Sequence, residues 1–225
     1  MEEHTLRVIA RIHSDFPSKF GIPRQSGLVE ALRARVVFEP EFRSEDALRG
    51  IEGFSHLWLI WQFSAAVRKT WSPTVRPPRL GGNTRMGVFA TRSPFRPNAL
   101  GLSCVGLEKV EHTAEGPVLV VTGADLMDGT PIYDIKPYVP YADCHTEATG
   151  GFTSDADEYL LEVDFPAPLL ARVPAEKQQA LVEVLRHDPR PSYQNDPARL
   201  YGFSFGGVEV RFTVAEKTLT VREVE

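Results

Sequence analysis

Short apolar runs of strand length recur through the first two-thirds of this chain, and none is followed by a long amphipathic helix. Residues 6–12 alternate apolar and polar. Further runs at 35–38, 56–63, 87–91, 100–110 and 117–122 are rich in Val, Ile, Leu and aromatic residues. Without strand–helix alternation nothing covers both faces of a parallel sheet, which argues against a doubly wound nucleotide fold. Many strands and few helices leave a sandwich or a barrel, and a barrel also removes open edges. Asp128-Gly129, between two such runs, predicts a hairpin turn. Residues 44–49 predict one short helix capped by Ser44.

The last third changes character. Residues 142–157 turn small and polar and read as a linker. Pro174 suits the first turn of a helix over 174–187, which places Leu181, Val184 and Leu185 on one face. Three strand-like runs follow at 200–205, 208–214 and 219–224, giving a small α+β appendage.

Charge then narrows the function. The chain of 225 residues carries a formal net charge of −5, which argues against indiscriminate coating of nucleic acid. Yet from residue 53 to 107 there is no Asp or Glu, while Arg68, Lys69, Arg76, Arg79, Arg85, Arg92 and Arg96 all fall there. Positive charge undiluted by carboxylates points to an anionic ligand, with phosphate or nucleic acid first. No apolar run approaches the ~20 residues a membrane helix needs. The acidic start does not resemble a signal peptide, and two lone cysteines, Cys104 and Cys144, suit a reducing cytoplasm. The scattered histidines lack metal-ligand spacing, so no metal is expected.

Within the basic stretch, Arg76-Pro77-Pro78-Arg79-Leu80-Gly81-Gly82-Asn83 and the run from Arg85 to Asn98 combine rigid prolines, permissive glycines and guanidinium forks. A proline-rich surface loop with solvated arginines is the plainer alternative. Pro23-Arg24-Gln25-Ser26-Gly27 is a second rigid turn, structural unless something faces it. In Tyr133-Asp134-Ile135-Lys136-Pro137-Tyr138, strand alternation puts Asp134, Lys136 and Tyr138 on one face and Ile135 on the other. Asp188-Pro189-Arg190-Pro191-Ser192-Tyr193 follows a helix and lacks the Rossmann context in which a similar loop carries amino methyltransferase chemistry. Walker loops, a G-x-G-x-x-G after a strand and a nucleophile elbow are all missing.

Taken together, these strings resemble the TrmO family of tRNA adenosine N6-methyltransferases. The likeness runs through Lys19-Phe20-Gly21-Ile22-Pro23-Arg24-Gln25, Gly53-Phe54-Ser55-His56-Leu57-Trp58, the stretch from Pro73 to Asn83, and that from Met86 to Asn98. It continues through Asp125-Leu126-Met127-Asp128-Gly129-Thr130-Pro131, Asp134-Ile135-Lys136-Pro137-Tyr138 and Asp188-Pro189-Arg190-Pro191. The resemblance implies a mainly β chain: a single-sheet β-barrel over residues 1–152 that binds S-adenosylmethionine, and a small α+β domain over 153–225. It also implies a cytoplasmic homodimer acting on the tRNA anticodon loop, where it methylates N6 of threonylcarbamoyladenosine. A non-catalytic barrel that binds RNA or senses the cofactor is the alternative.

By matching motif positions, the resemblance places cofactor contacts at Pro23, Arg24, Gln25, Arg92 and Leu102, and on Asp125, Leu126, Met127 and Asp128. Ser64 joins them through its backbone. Asp134 is the first candidate acceptor for the N6 proton and Asn98 the second. Arg85, Arg96 and Lys136 would hold RNA phosphates or the threonyl carboxylate, and Tyr138 would stack a splayed base. Two departures stand out: Ser64-Ala65 occupies the place of a His-Gln pair, and Ala99-Leu100 that of Pro-Ile.

Overall fold

The computed structural model describes residues 2–77, 80, 83–153, 159–190, 194 and 196–225. Its strands are β1 (Ala10–His13), β2 (Arg33–Phe38), β3 (His56–Gln62), β4 (Thr74–Val75), β5 (Met86–Gly87), β6 (Leu100–Thr113), β7 (Gly116–Thr122), β8 (Pro131–Pro137), β9 (Glu162–Asp164), β10 (Tyr201–Phe205), β11 (Val208–Ala215) and β12 (Thr218–Val224). Helices are few: α1 (Pro140–Asp143), α2 (Ala167–Leu170) and α3 (Ala175–Arg186). The chain is mainly β, as its apolar runs imply.

Six strands pair in the closed order β1-β2-β7-β6-β3-β8, every neighbouring pair antiparallel. Strand alternation sends Ala10, Ile12, Ala34, Val36, Leu57, Leu59, Trp61, Val105, Leu119, Val121 and Ile132 into one core. The 14-residue β6 serves two neighbours in succession. It pairs with β3 from Leu100 to Gly106 and with β7 from Gly106 to Thr113. Residues 100–105 therefore keep one edge that β7 does not cover. At Gly101 a Cβ would lie 2.3 Å from the ring of its register partner Trp61, so glycine is what lets that indole lie over the strand.

A second sheet, in the order β10-β11-β12-β9, packs on α3. β9 runs parallel to β12 and pairs through Glu162↔Thr218 to Asp164↔Thr220. This core takes Leu181, Val184 and Leu185 from α3, and Phe203, Phe205, Val210, Phe212, Leu219 and Val221 from the sheet. It also takes Phe16, Val29 and Leu32 from the β1–β2 connection, so the packing boundary lies elsewhere than the linker in sequence.

Several local expectations change. Residues 87–91 are not a strand: only Met86–Gly87 pairs, with β4, and Val88–Ala90 forms a 3-10 turn anchored by buried Val88. Residues 45–48 form a 3-10 turn without a side-chain cap from Ser44. β1 begins only at Ala10, because its ladder partners β2 and β8 begin pairing there. Asp128-Gly129 does turn the chain, with Gly129 at φ +73°, but it makes no hairpin. β7 pairs with β2 and β6, whereas β8 pairs with β1 and β3. The turn is closed by the Thr130 N–H to the Met127 carbonyl at 3.2 Å, and the Gly129 N–H ties it to β1 through the Ile12 carbonyl at 2.8 Å. The polar stretch at 142–157 carries the end of α1 and a 3-10 turn at Gly151–Thr153, while 154–157 lie outside the described residues.

Candidate active site at the open edge of β6

The uncovered edge of β6 is met by the turn at 24–27. Cys104 N–H donates to Ser26 Oγ at 3.1 Å. Because alternate residues of an antiparallel strand aim their polar groups at the same edge, the N–H and C=O of Leu102 face this turn as well. Among the described residues nothing pairs with them. The Leu102 side chain is 57% exposed.

Three further segments converge here. Arg92, from the loop before β6, donates through Nη1 to Gln25 Oε1. Asp125, just after β7, accepts from Ser103 Oγ at 2.5 Å, and Ser103 Oγ accepts the Trp61 indole N–H at 2.9 Å. The turn is fixed by backbone: Gly27 N–H donates to Gly123 O and Gly123 N–H to Leu32 O, both at 2.9 Å. Burial pushes the Asp125 carboxyl above its ordinary range, while the Ser103 hydroxyl, backbone N–H groups and Arg92 pull the other way. The carboxylate thus sits half-desolvated, poorly compensated and close to an open strand edge. A cation, or a ligand with hydroxyl donors, would relieve it.

The outer face beside this edge carries the second group of residues. Asp134 on β8 is the register partner of Ile60 on β3, which pairs in turn with Leu102 on β6. One row across three strands therefore reads Asp134, Ile60, Leu102. At roughly 4.8 Å per strand spacing, the outer two are about 10 Å apart. The next row reads Lys136, Trp58, Cys104. Lys136 Nζ lies 3.0 Å from Asp134 Oδ2, and the Ile135 N–H donates to Asp134 Oδ1 at 2.9 Å. Tyr138 stands between His56 and Trp58, with ring centroids 6.2 and 5.8 Å away. Desolvation first, then neighbouring Cys144, raises its phenol, which stays neutral. Desolvation likewise raises the Cys104 thiol, so it offers no ready thiolate. Trp58 is fixed by an indole N–H to Asp143 Oδ2 at 3.1 Å, and that carboxylate also accepts Val139 N–H at 2.7 Å. These two bonds, the backbone one first, hold Asp143 below its usual range.

The remaining sequence-predicted residues fall in different places. Arg24 is exposed, Pro23 is buried, and Ser64 is an exposed residue of the 3-10 turn after β3. Leu126 points into the barrel core and its carbonyl accepts Ser14 Oγ–H at 2.8 Å. The Met127 carbonyl is taken by Thr130. Asp128 accepts Ser14 N–H at 3.1 Å and lies 3.3 Å from His13 Nδ1. Asn98 is exposed just ahead of β6. Arg85 is exposed and reaches Thr74 Oγ1 at 3.4 Å.

Arg96 also has a structural contact within its own loop. Its guanidinium donates to the carbonyls of Thr91 at 2.7 Å and Val88 at 3.3 Å, bracing its own loop. Pro78, Arg79, Gly81 and Gly82 lie outside the described residues, as do Pro191, Ser192 and Tyr193 of the later motif. Asp188 and Arg190 of that motif form a buried bidentate pair at 2.8 Å, ending α3 rather than lining this site.

Ser26, Ser103, Trp71 and Phe89 have no individual role assigned by the sequence patterns. The two-residue ladder β4–β5, extended by Val88 N–H to Pro73 O at 2.9 Å, brings Trp71 and Phe89 side by side with centroids 6.2 Å apart. They are 52% and 71% exposed. Arg96 lies 5.7 Å over Phe89, and Arg68 lies 3.5 Å over Phe95. Two large bare rings amid uncompensated cations mark a contact surface.

A barrel with a half-buried carboxylate at an open strand edge, beside a cation-rich aromatic loop, suits transfer chemistry on an anionic polymer. Comparison with known proteins gives this class its family. Residues 11–144 match the family described as tRNA-methyltransferase O N-terminal domain, and residues 158–225 match the TrmO C-terminal domain. The tRNA (adenine(37)-N6)-methyltransferase of Escherichia coli strain K12 is 39% identical over 233 residues, covering 100% of this chain and 99% of that protein. A putative S-adenosylmethionine-dependent methyltransferase, RcsF, of Pseudomonas aeruginosa strain PAO1 is 40% identical over 217 residues, covering 93% and 92%. The crystal structure of TrmO from Pseudomonas aeruginosa superposes with a TM-score of 0.79 at 33% identity, covering 100% of both chains. The chain belongs to the tRNA-methyltransferase O family.

Proposed function

We propose that the protein methylates N6 of the threonylcarbamoylated adenosine beside the tRNA anticodon, using S-adenosylmethionine. The observation that carries this reading is the convergence of Gln25–Arg92 and Ser103–Asp125 on the open edge of β6, where Leu102 shares a row with Asp134 two strands away. The residues present suit the cofactor. Exposed Leu102 offers an apolar surface for an adenine ring and backbone groups for its edge. The under-compensated Asp125 carboxylate suits a positively charged sulfonium compound with ribose hydroxyls. Gln25, Arg92, Leu102 and Asp125 would hold it; Leu126 and Asp128 would support it from behind. When bound, the cofactor supplies a methyl group already activated by its positive sulfur.

The chain's own groups then have two tasks. The first is alignment, which contributes ~7–11 kcal/mol in favourable cases when reacting atoms are held in line. The second is proton removal: N6 gains a carbon bond and must lose its hydrogen. Asp134 is the acceptor in this reading. Its Oδ1 accepts the Ile135 N–H, its Oδ2 lies in an ion pair with Lys136, and the carboxylate retains free lone pairs. Asn98 is exposed near the same end of β6 and is the second candidate. Lys136 and Arg85 would hold phosphate or the threonyl carboxylate, and Tyr138 an unstacked base. Trp71 and Phe89 add a second stacking surface.

The same outer face presents Leu102 exposed beside partly exposed Trp58 and Ile60, and a second copy of the chain is its proposed partner, in a cytoplasmic homodimer. Among the described residues, no helix is long and apolar enough to cross a membrane.

The test is incubation with labelled S-adenosylmethionine and tRNA, with or without threonylcarbamoylation, followed by nucleoside mass spectrometry. Label on N6 of the threonylcarbamoylated nucleoside is expected. Label on any other nucleoside, or binding of both ligands without transfer, would sink the assignment.

A further inference from the structure

The segment between β1 and β2 is held from two sides. On the barrel side, Phe16 O accepts Asp128 N–H at 2.8 Å, Ser14 N–H donates to Asp128 Oδ1 at 3.1 Å, and Ser14 Oγ donates to Leu126 O at 2.8 Å. On the other side, the β10–β11 turn and α3 grip the residue between them. Lys177 Nζ lies 2.6 Å from Asp15 Oδ1 and 3.3 Å from Gly206 O, and Gly206 N–H donates to Asp15 O at 2.8 Å. Phe16 packs edge-on against Phe205 at 5.3 Å.

The grip extends along the connection toward the cofactor turn. Gly21, at φ +90°, lies so close to Phe203 that a Cβ there would fall 2.4 Å from the ring. Phe20 packs on Phe203 at 6.1 Å, and Val29 and Leu32 are buried in the C-terminal core. Residues 24–27, which carry Gln25 and Ser26, are thus suspended between two anchored stretches. Both arms of the candidate cofactor site, 24–27 and 125–128, rest on one connection whose other face belongs to the C-terminal domain.

We infer that the C-terminal domain positions the cofactor site, and that Lys177 is a positioning residue acting through Asp15. A lysine here is more than a packing group. It is mostly screened from solvent, straddles a carboxylate and a turn carbonyl, and crosses the seam between the two cores. Withdrawing its ammonium leaves Asp15 partly buried and unpaired, which loosens the connection where it meets Asp128. The barrel ladders themselves contain no atom of Lys177. The consequence is therefore expected in cofactor affinity ahead of chemistry.

This inference rests on the cofactor site proposed above, and the experiment separates the two. Full-length wild type, Lys177→Met, Lys177→Arg and Asp15→Asn are compared for S-adenosylmethionine binding by calorimetry, turnover at saturating cofactor, and thermal midpoint. Arg211→Ala, which breaks the exposed pair with Glu223 in the same sheet, is the control. Lys177→Met and Asp15→Asn are expected to weaken cofactor binding about five- to thirtyfold, the lower part of the usual range of coupling between sites. Turnover at saturation should stay within about twofold, Lys177→Arg should recover most of the affinity, and Arg211→Ala should leave it unchanged.

Absence of cofactor binding in the wild type overturns the site and this inference together. Wild-type binding with unchanged affinity in both Lys177→Met and Asp15→Asn overturns this inference alone, whatever happens to the thermal midpoint. If Lys177→Met fails to fold, Asp15→Asn and Lys177→Arg decide the matter by the same criteria.

Discussion

Ser103 holds Asp125 in place: its hydroxyl donates to Oδ1 at 2.5 Å and accepts the Trp61 indole N–H at 2.9 Å. A core tryptophan is thereby tied to a carboxylate at the open edge of the sheet. Removing the middle member strands the other two. Ser103→Ala is expected to cost about 1–3 kcal/mol of stability, the usual penalty for buried groups left unpaired. It should also weaken S-adenosylmethionine binding, read by denaturant unfolding and calorimetry on the same preparation. Unchanged stability would mean that water replaces the hydroxyl.

The pH behaviour of Asp125 follows from its burial. Its carboxyl is raised in the folded state, so between its unfolded and folded values the native protein binds the extra proton. Its contribution to stability is full below the unfolded value of about 3.9 and is lost as pH rises through the folded one. At neutral pH the buried charge therefore works against folding. Asp125→Asn should raise the melting midpoint more at pH 7 than at pH 4, by roughly 2–4 °C per kcal/mol regained, while weakening cofactor binding. An equal shift at both pH values would contradict the direction assigned here.

Arg92 and Gln25 join the two loops that flank the open edge. Gln25→Ala frees the guanidinium and leaves the turn at 24–27 held by its backbone anchors and by Ser26 Oγ on the Cys104 N–H. A loss of about tenfold in S-adenosylmethionine affinity, ~1.4 kcal/mol, is expected with tRNA affinity preserved. Equal losses for both ligands would place Arg92 on the RNA instead.

Asp134 shares a row with Leu102, two strands away, and is the proposed proton acceptor. Asp134→Asn should lower turnover by about 10²–10⁴, the usual contribution of a positioned acid or base. Cofactor affinity should stay within a few-fold of wild type. A fully active variant removes Asp134 from the reaction and leaves Asn98 to be tested next.

Trp71 and Phe89 form the exposed aromatic pair of the basic loop. Base stacking on such rings contributes ~1–3 kcal/mol per base, so Trp71→Ala and Phe89→Ala should each raise the KM for tRNA. Cofactor binding should be unaffected, and added salt should weaken tRNA binding far more steeply than cofactor binding. A change in oligomeric state with unaltered tRNA binding would assign the pair to a subunit contact.

Much of this was legible in the chain itself, for physical reasons specific to each element. Strands β3, β6, β11 and β12 declare themselves because one face of each is buried and the side-chain period is two. Helix α3 does so by its apolar stripe of Leu181, Val184 and Leu185. The Asp134–Lys136 pairing follows from the same alternation. By contrast, Asp128-Gly129 misled because a turn sequence specifies a bend but not which strands pair beyond it. Arg96 reads as a ligand-binding cation, and its Nη1 also braces nearby carbonyls, a contact that no local pattern encodes.

The sequence by itself determined the period of each strand, the cationic character of residues 53–107, and the family, because these are properties of neighbours along the chain. Tertiary structure alone decided that Ser26 covers the edge of β6, that Ser103 joins Trp61 to Asp125, and that Asp15 meets Lys177 across 162 positions. Those contacts depend on how a closed sheet and a second core bring distant residues together. A hydrogen bond between such residues forms only once the entropy of closing the intervening loops has been met by burial elsewhere.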